Sequence, residues 1–142
     1  MERLDREKTC PFLLRMFCKF NEHHRLEEFE RGATPNRDEL IVYTWKDATL
    51  AELSGLIQEV IPDCGHAGTQ FSFRAVYKDY NHASSGQWRQ GELGRVTIGS
   101  EGRDDLKTLK YFGFVTGDFI DVAIYPSDHR VRQDTSVRFN KR

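Results

Sequence analysis

Thr49-Leu50-Ala51-Glu52 joins a strand-like run, Leu40-Ile41-Val42-Tyr43, to an amphipathic run of Leu50, Leu53, Leu56, Ile57, Val60 and Ile61. A Thr followed three residues later by Glu is a capping box, in which each side chain accepts from an orphan amide of a helix's first turn. The stretch therefore predicts a strand that feeds directly into one capped helix over about Leu50 to Ile61. Gly55 inside that helix costs about 1 kcal/mol relative to Ala, so packing must carry the element. Pro62 ends it, because proline disfavours helical geometry at the residue before it.

Working outward, Phe12, Leu14, Met16, Cys18 and Phe20 alternate with Arg15 and Lys19, which is the period of a half-buried strand over 12–20. Asn21 to Asp38 is a polar connection, with Leu26 and Phe29 as its large apolar residues. It is long for a hairpin loop, and long ordered loops tend to be functional. Glu39 to Trp45 is the second strand. Beyond the helix, Phe71, Phe73, Ala75 and Tyr77 oppose Ser72, Arg74 and Lys78 in a third strand over 69–78. Asn81 to Gly94 reads as polar loop with an exposed Trp88, followed by a short strand over 95–99. Thr108-Leu109 opens a helical turn, and Ile120, Val122 and Ile124 share one face of a last strand over 119–125.

The order strand, strand, helix, strand, strand, strand is that of an α+β fold, a ubiquitin-like β-grasp roll. Its mixed sheet has about five strands and is crossed by one main helix. In that arrangement the first and last strands run parallel in the middle of the sheet, which suits their apolar character. The expected organisation is a flexible charged leader over 1–9, the ubiquitin-like domain over 10–126 and a disordered basic tail over 127–142. The tail sets Arg130, Arg132, Arg138, Lys141 and Arg142 against Asp128 and Asp134 and has few apolar residues to pack.

The 142 residues suffice for one domain with a real core. Net charge is −1, so the basic balance that marks nucleic-acid binding is missing, and a weak electrostatic contact through the tail is the most expected with RNA. No run approaches the ~20 apolar residues of a membrane span, and Met1 to Arg6 lacks a signal-peptide core. Residence in the cytosol or nucleus is expected. The 3 cysteines, Cys10, Cys18 and Cys64, form no C-x-x-C pair and read as reduced thiols.

Signs of chemistry are weak. His23-His24 is the best metal candidate, but adjacent histidines diverge in an extended chain and no ligand partner stands at the right spacing. Hydrogen-bonded loop histidines are the expected outcome. Cys64-Gly65-His66 lacks an orienting third group for a nucleophile pair. Glu27-Glu28 and Asp104-Asp105 read as loop solvation or turn capping. Neither Gly91-Glu92-Leu93-Gly94 nor Gly99-Ser100-Glu101-Gly102 is a phosphate loop. No enzyme activity, cofactor or metal is expected. Binding signals are better. Tyr43 and Trp45 fall on the outer face of the second strand, and Trp and Tyr are enriched at interface hot spots. Leu26 and Phe29, at i and i+3, suit a short helical turn that tucks onto the domain or presents an anchor. Arg25 beside them would steer a partner. A ubiquitin-like modifier or regulatory domain is the alternative, and the missing Gly-Gly after Phe139-Asn140-Lys141-Arg142 argues against conjugation.

Several segments together resemble one family. Asp5 to Pro11, His23-His24-Arg25 with Glu28-Phe29, and Tyr43-Thr44-Trp45 with Asp47 to Leu50 and Glu52-Leu53 carry the likeness. Gly68-Thr69 with Phe71 and Phe73, Asp104-Asp105 with Thr108-Leu109, and Gly117-Asp118 with Asp121 extend it over about 5–125. The chain resembles the Sin-associated eighteen-kilodalton polypeptide family. The resemblance implies a ubiquitin-like fold and a non-catalytic nuclear adaptor. It would be found in nuclear speckles and in part in the cytoplasm. Implied partners are a Sin-type histone deacetylase corepressor, an acinus-like protein and a serine/arginine-related RNA-recognition protein. The last two belong to an exon-junction-associated complex for mRNA splicing, in which RNA is contacted indirectly at most.

Overall fold

The computed structural model describes residues 4–30, 34–81 and 86–127. The basic tail expected over 127–142 lies outside them from residue 128 onward. The strands are β1 (Phe12–Phe20), β2 (Glu39–Thr44), β3 (Gln70–Asp79), β4 (Gln87–Thr97) and β5 (Phe119–Tyr125). Helix α1 (Glu27–Glu30) is a single turn and α2 (Leu50–Val60) is the main helix. The sheet order is β2-β1-β5-β3-β4. β1 and β5 run parallel, with Met16 opposite Ile120 and Cys18 opposite Val122, and the other neighbours are antiparallel. This is the ubiquitin-like β-grasp roll that the pattern predicts.

Every first-turn amide of α2 has a partner. Thr49 Oγ1 accepts from Glu52 N at 3.0 Å, one half of the capping box. The other half is replaced: Glu52 is held instead by Arg6, at 2.9 and 3.0 Å to its two oxygens. Leu50 N and Ala51 N donate to the carbonyls of Lys107 and Asp105, each at 3.0 Å. The helix is therefore capped by a distant loop as well as by its own sequence. Its buried face, Leu50, Leu53, Ser54 and Ile57, meets Leu14, Met16, Phe71, Phe73, Ile120 and Val122 from the sheet.

Two readings are corrected. β4 begins at Gln87, well before the expected 95–99, so most of the presumed polar loop is an edge strand. A bulge opposite Phe73/Arg74 offsets its alternation. Trp88 is half-buried, stacked on Phe119 at 5.8 Å between ring centroids. Thr108-Leu109 does open a helical turn, with Phe112 N donating to Thr108 O at 3.4 Å, while Thr108 also bridges to Thr49 and Leu109 is buried.

The segment expected as a leader makes specific contacts. Asp5 O accepts from Lys8 N and Thr9 N in a turn. The Arg6 guanidinium reaches Asp47 at 2.6 Å as well as Glu52, and lies 4.8 Å from the Trp45 ring centroid.

Candidate functional site

The outer face of the sheet, away from α2, is half covered. The covering piece is the connection after β1, folded back by Asn21, whose φ of 67° is left-handed. Two histidines pin it. His23 Nδ1 lies 2.7 Å from Asp121 Oδ2, and its Nε2 lies 3.0 Å from Ser72 Oγ. His24 Nδ1 lies 2.5 Å from Asp121 Oδ1, while Nε2 lies 2.7 Å from Asp38 Oδ2. His24 N also donates to Asp121. Burial alone pushes the His24 ring down. Hydrogen bonds and charge from Asp121 and Asp38 outweigh it and raise its pKa to about 9. Burial likewise pushes Asp121 up, but the hydrogen bonds from His23 and His24 hold it below the usual carboxylate range.

The cluster is thus hydrogen-bonded to closure. Among the described residues no group of three or more His, Cys, Asp or Glu has metal-holding geometry. Cys18 and Cys64 are buried, and burial raises both thiols, Cys64 to about 12, which leaves neither an activated thiolate. Asp104 accepts from Arg95 N and Asp105 from Gly102 N, which makes this acidic pair a turn cap.

Past the histidines, α1 sets Phe29 into an aromatic cluster on that face. Phe29 lies 5.3 Å from Phe17 and 5.9 Å from Phe119, with Val76 and Trp88 around it. At 1% exposure Phe29 is a core residue, so it does not present the anchor considered for it. Leu26 packs half-buried against the same cluster, and Arg25 is exposed at its rim.

The other half of the face is open. Tyr43, 68% exposed, stands opposite Leu13 in the β1–β2 register, and Ile41, 51% exposed, stands opposite Arg15. Arg15 is paired with Glu39 and lies over Phe17 and Phe119, which divides the open half from the covered one. Trp45 follows the end of β2, half-buried, with Nε1 donating to Thr9 O at 2.7 Å. The predicted residues thus fall in two groups, Tyr43 with Trp45 and Leu26 with Phe29. Leu13 and Ile41 were missed. Their signal was available: both fall out of phase with the core-facing alternation of their strands.

A hairpin, a capped helix and a parallel return strand, with the polar residues of one face locked in hydrogen bonds, define a ubiquitin-like domain of the β-grasp class. Within that class the kinship is specific. The model of the Sin3 associated polypeptide p18 (SAP18) family matches residues 3–124, and the chain belongs to that family. It is 44% identical over 126 residues to the histone deacetylase complex subunit SAP18 of Drosophila melanogaster, across 89% of this chain and 81% of the relative. It is 46% identical over 124 residues to the Homo sapiens protein of that name, across 87% and 78%. With the Arabidopsis thaliana protein it shares 43% over 127 residues, across 87% and 80%.

Proposed function

We propose that this chain is a non-catalytic subunit of a nuclear histone-deacetylase corepressor complex and docks a linear segment of a larger partner there. The observation that carries the reading is the open half of the outer face, where Leu13, Ile41 and Tyr43 are exposed together beside the edge strand β2. An apolar face next to an unpaired edge suits an extended segment, which gains main-chain hydrogen bonds from the strand and side-chain contacts from the face. In this reading Tyr43 and Trp45 are the anchors, Leu26 lies at the margin with Arg25 steering, and Phe29 supports the margin from beneath. The names of the relatives favour the corepressor assignment. The family resemblance adds a splicing-linked role with acinus-like and serine/arginine-related RNA-recognition partners.

The test is co-purification from nuclear extract. The expected outcome is that the intact chain retains deacetylase activity together with a Sin-type corepressor. Tyr43→Ala with Trp45→Ala, still folded by circular dichroism, should lose at least about tenfold of that binding. Ile41→Lys, at a position 51% exposed, should do the same. Unchanged recovery with the folded variants rejects these anchors. Recovery of no deacetylase with the intact chain rejects the corepressor assignment.

A further inference from the structure

A second concave surface lies away from the β1–β2 face. A groove of about 780 Å³ opens between the β3–β4 ribbon and the 112–118 turn, lined in part by Tyr77, Tyr80, Phe112, Val115, Glu92 and Asp118. Tyr80 is 61% and Val115 62% exposed, so among the described residues aromatic and apolar surface is open there. Its charge balance is uneven. Lys78 is the one cation among the described lining residues, and its Nζ is placed over Trp88, 5.5 Å from the ring centroid. Glu92 is taken by Arg74 at 2.5 Å. Among the described residues Asp118 accepts only from the amide of Val115, at 3.1 Å, and no cation pairs with it. Burial pushes its carboxyl up, and that amide and the charge of Lys46 only partly offset the effect. Lys46 itself donates to Phe114 O at 2.5 Å.

A partly buried carboxylate beside aromatic rings needs a cation that tolerates desolvation. A guanidinium meets both demands, since it stacks on rings, is weakly hydrated and forks onto carboxylates. An apolar side chain would deepen the burial of Asp118 without pairing it, and an anion would meet two carboxylates.

We propose that this groove is a second docking site and that its occupant is an arginine-bearing linear segment of a partner, with one guanidinium seated on Asp118 between the aromatic walls. The site is independent of the β1–β2 anchors and of the corepressor reading.

The test is a titration of the full-length chain with a blocked probe peptide, acetyl-Gly-Ser-Arg-Gly-Ser-Arg-Gly-amide, against its citrulline analogue, followed by amide NMR. Shifts are expected in the 112–118 turn and at Tyr77 to Tyr80. Citrulline should weaken binding by about tenfold or more, because it keeps the shape and removes the charge. Asp118→Asn, which can still accept from Val115, should erase that preference, and Tyr80→Ala should weaken the arginine peptide. Equal binding of the citrulline peptide, an undiminished preference in Asp118→Asn, or no shift at the groove overturns the proposal. The chain's own arginines are a competing occupant. If Arg130→Gln, Arg132→Gln, Arg138→Gln and Arg142→Gln together move the Val115 and Asp118 amides without peptide, the tail fills the groove and the assignment to a partner fails.

Discussion

Asp121 takes three hydrogen bonds from the dipeptide His23-His24 and is 1% exposed. A buried carboxylate is tolerated only when paired and bonded, and here the pairing fixes a loop to the central strand. The pH consequence has a definite sign. His24 is raised above its ordinary 6.5 to about 9, so its contribution is fully present below 6.5 and fades as pH rises through 9. Asp121 is lowered, so its contribution is present above its ordinary 3.8 and fades as pH falls below it. Stability should therefore be highest between about pH 4 and 6.5 and should fall by on the order of 3 kcal/mol on going from there to pH 9 and above. Urea titrations at stepped pH check this, and His24→Gln should flatten the alkaline fall. A fall of the same size in His24→Gln would assign it to another group. The pairing was not legible in the sequence. The two histidines were visible, but Asp121 is 98 residues from His23, and no local pattern announces such a partner.

At the scale of elements, β1, β2, α2 and β5 could be read because each carries an unbroken period of one face. β4 could not. Its Gln-Trp-Arg-Gln-Gly-Glu-Leu-Gly start is polar, it is an edge strand, and its bulge shifts the alternation midway. The bulge has its own requirement at Gly94, whose φ is 150°. A Cβ there would come within 2.7 Å of the Asp104 carboxyl carbon and 2.9 Å of Asp104 Cβ. The crowding exists because Asp104 closes the following turn by accepting from Arg95 N at 3.1 Å. Gly94→Ala is therefore expected to cost about 2 kcal/mol, from backbone strain and displacement of that cap. Thermal unfolding measures it, and hydrogen exchange should show the Arg95 amide losing protection first. Gly55, in open space within α2, is the control, and Gly55→Ala should stabilise by up to about 1 kcal/mol. The α2 cap was half legible in the same sense. Thr49 does what its spacing predicts, whereas Arg6 and the 105–107 carbonyls arrive from segments remote in sequence.

On the scale of the whole molecule the sheet is packed on both sides, but by different means. The α2 side is a continuous core spanning the sheet. The outer side carries a small cluster of Phe17, Phe29 and Val76 under the returning loop, and then open surface at Leu13, Ile41 and Tyr43. The sequence pattern could not tell Phe29 from Tyr43, because an aromatic in a polar loop and one on an edge strand look equally available. Burial separates them, and two substitutions should behave oppositely. Phe29→Ala removes a ring that touches Phe17, Phe119 and Trp88. It should cost about 3 kcal/mol and loosen the 21–30 connection. Tyr43→Thr keeps a strand-favouring side chain at a position 68% exposed, so it should cost less than about 1 kcal/mol. Its effect should fall on partner affinity instead. Chemical denaturation of both variants, beside the same co-purification assay, separates the roles. Because α2 does not rest on Phe29, hydrogen exchange in Phe29→Ala should rise across 21–30 while β5 and α2 stay protected. A uniform rise would mean that the outer cluster and the main core unfold as one unit. A Tyr43→Thr variant as destabilised as Phe29→Ala would mean that the open face is packed rather than free.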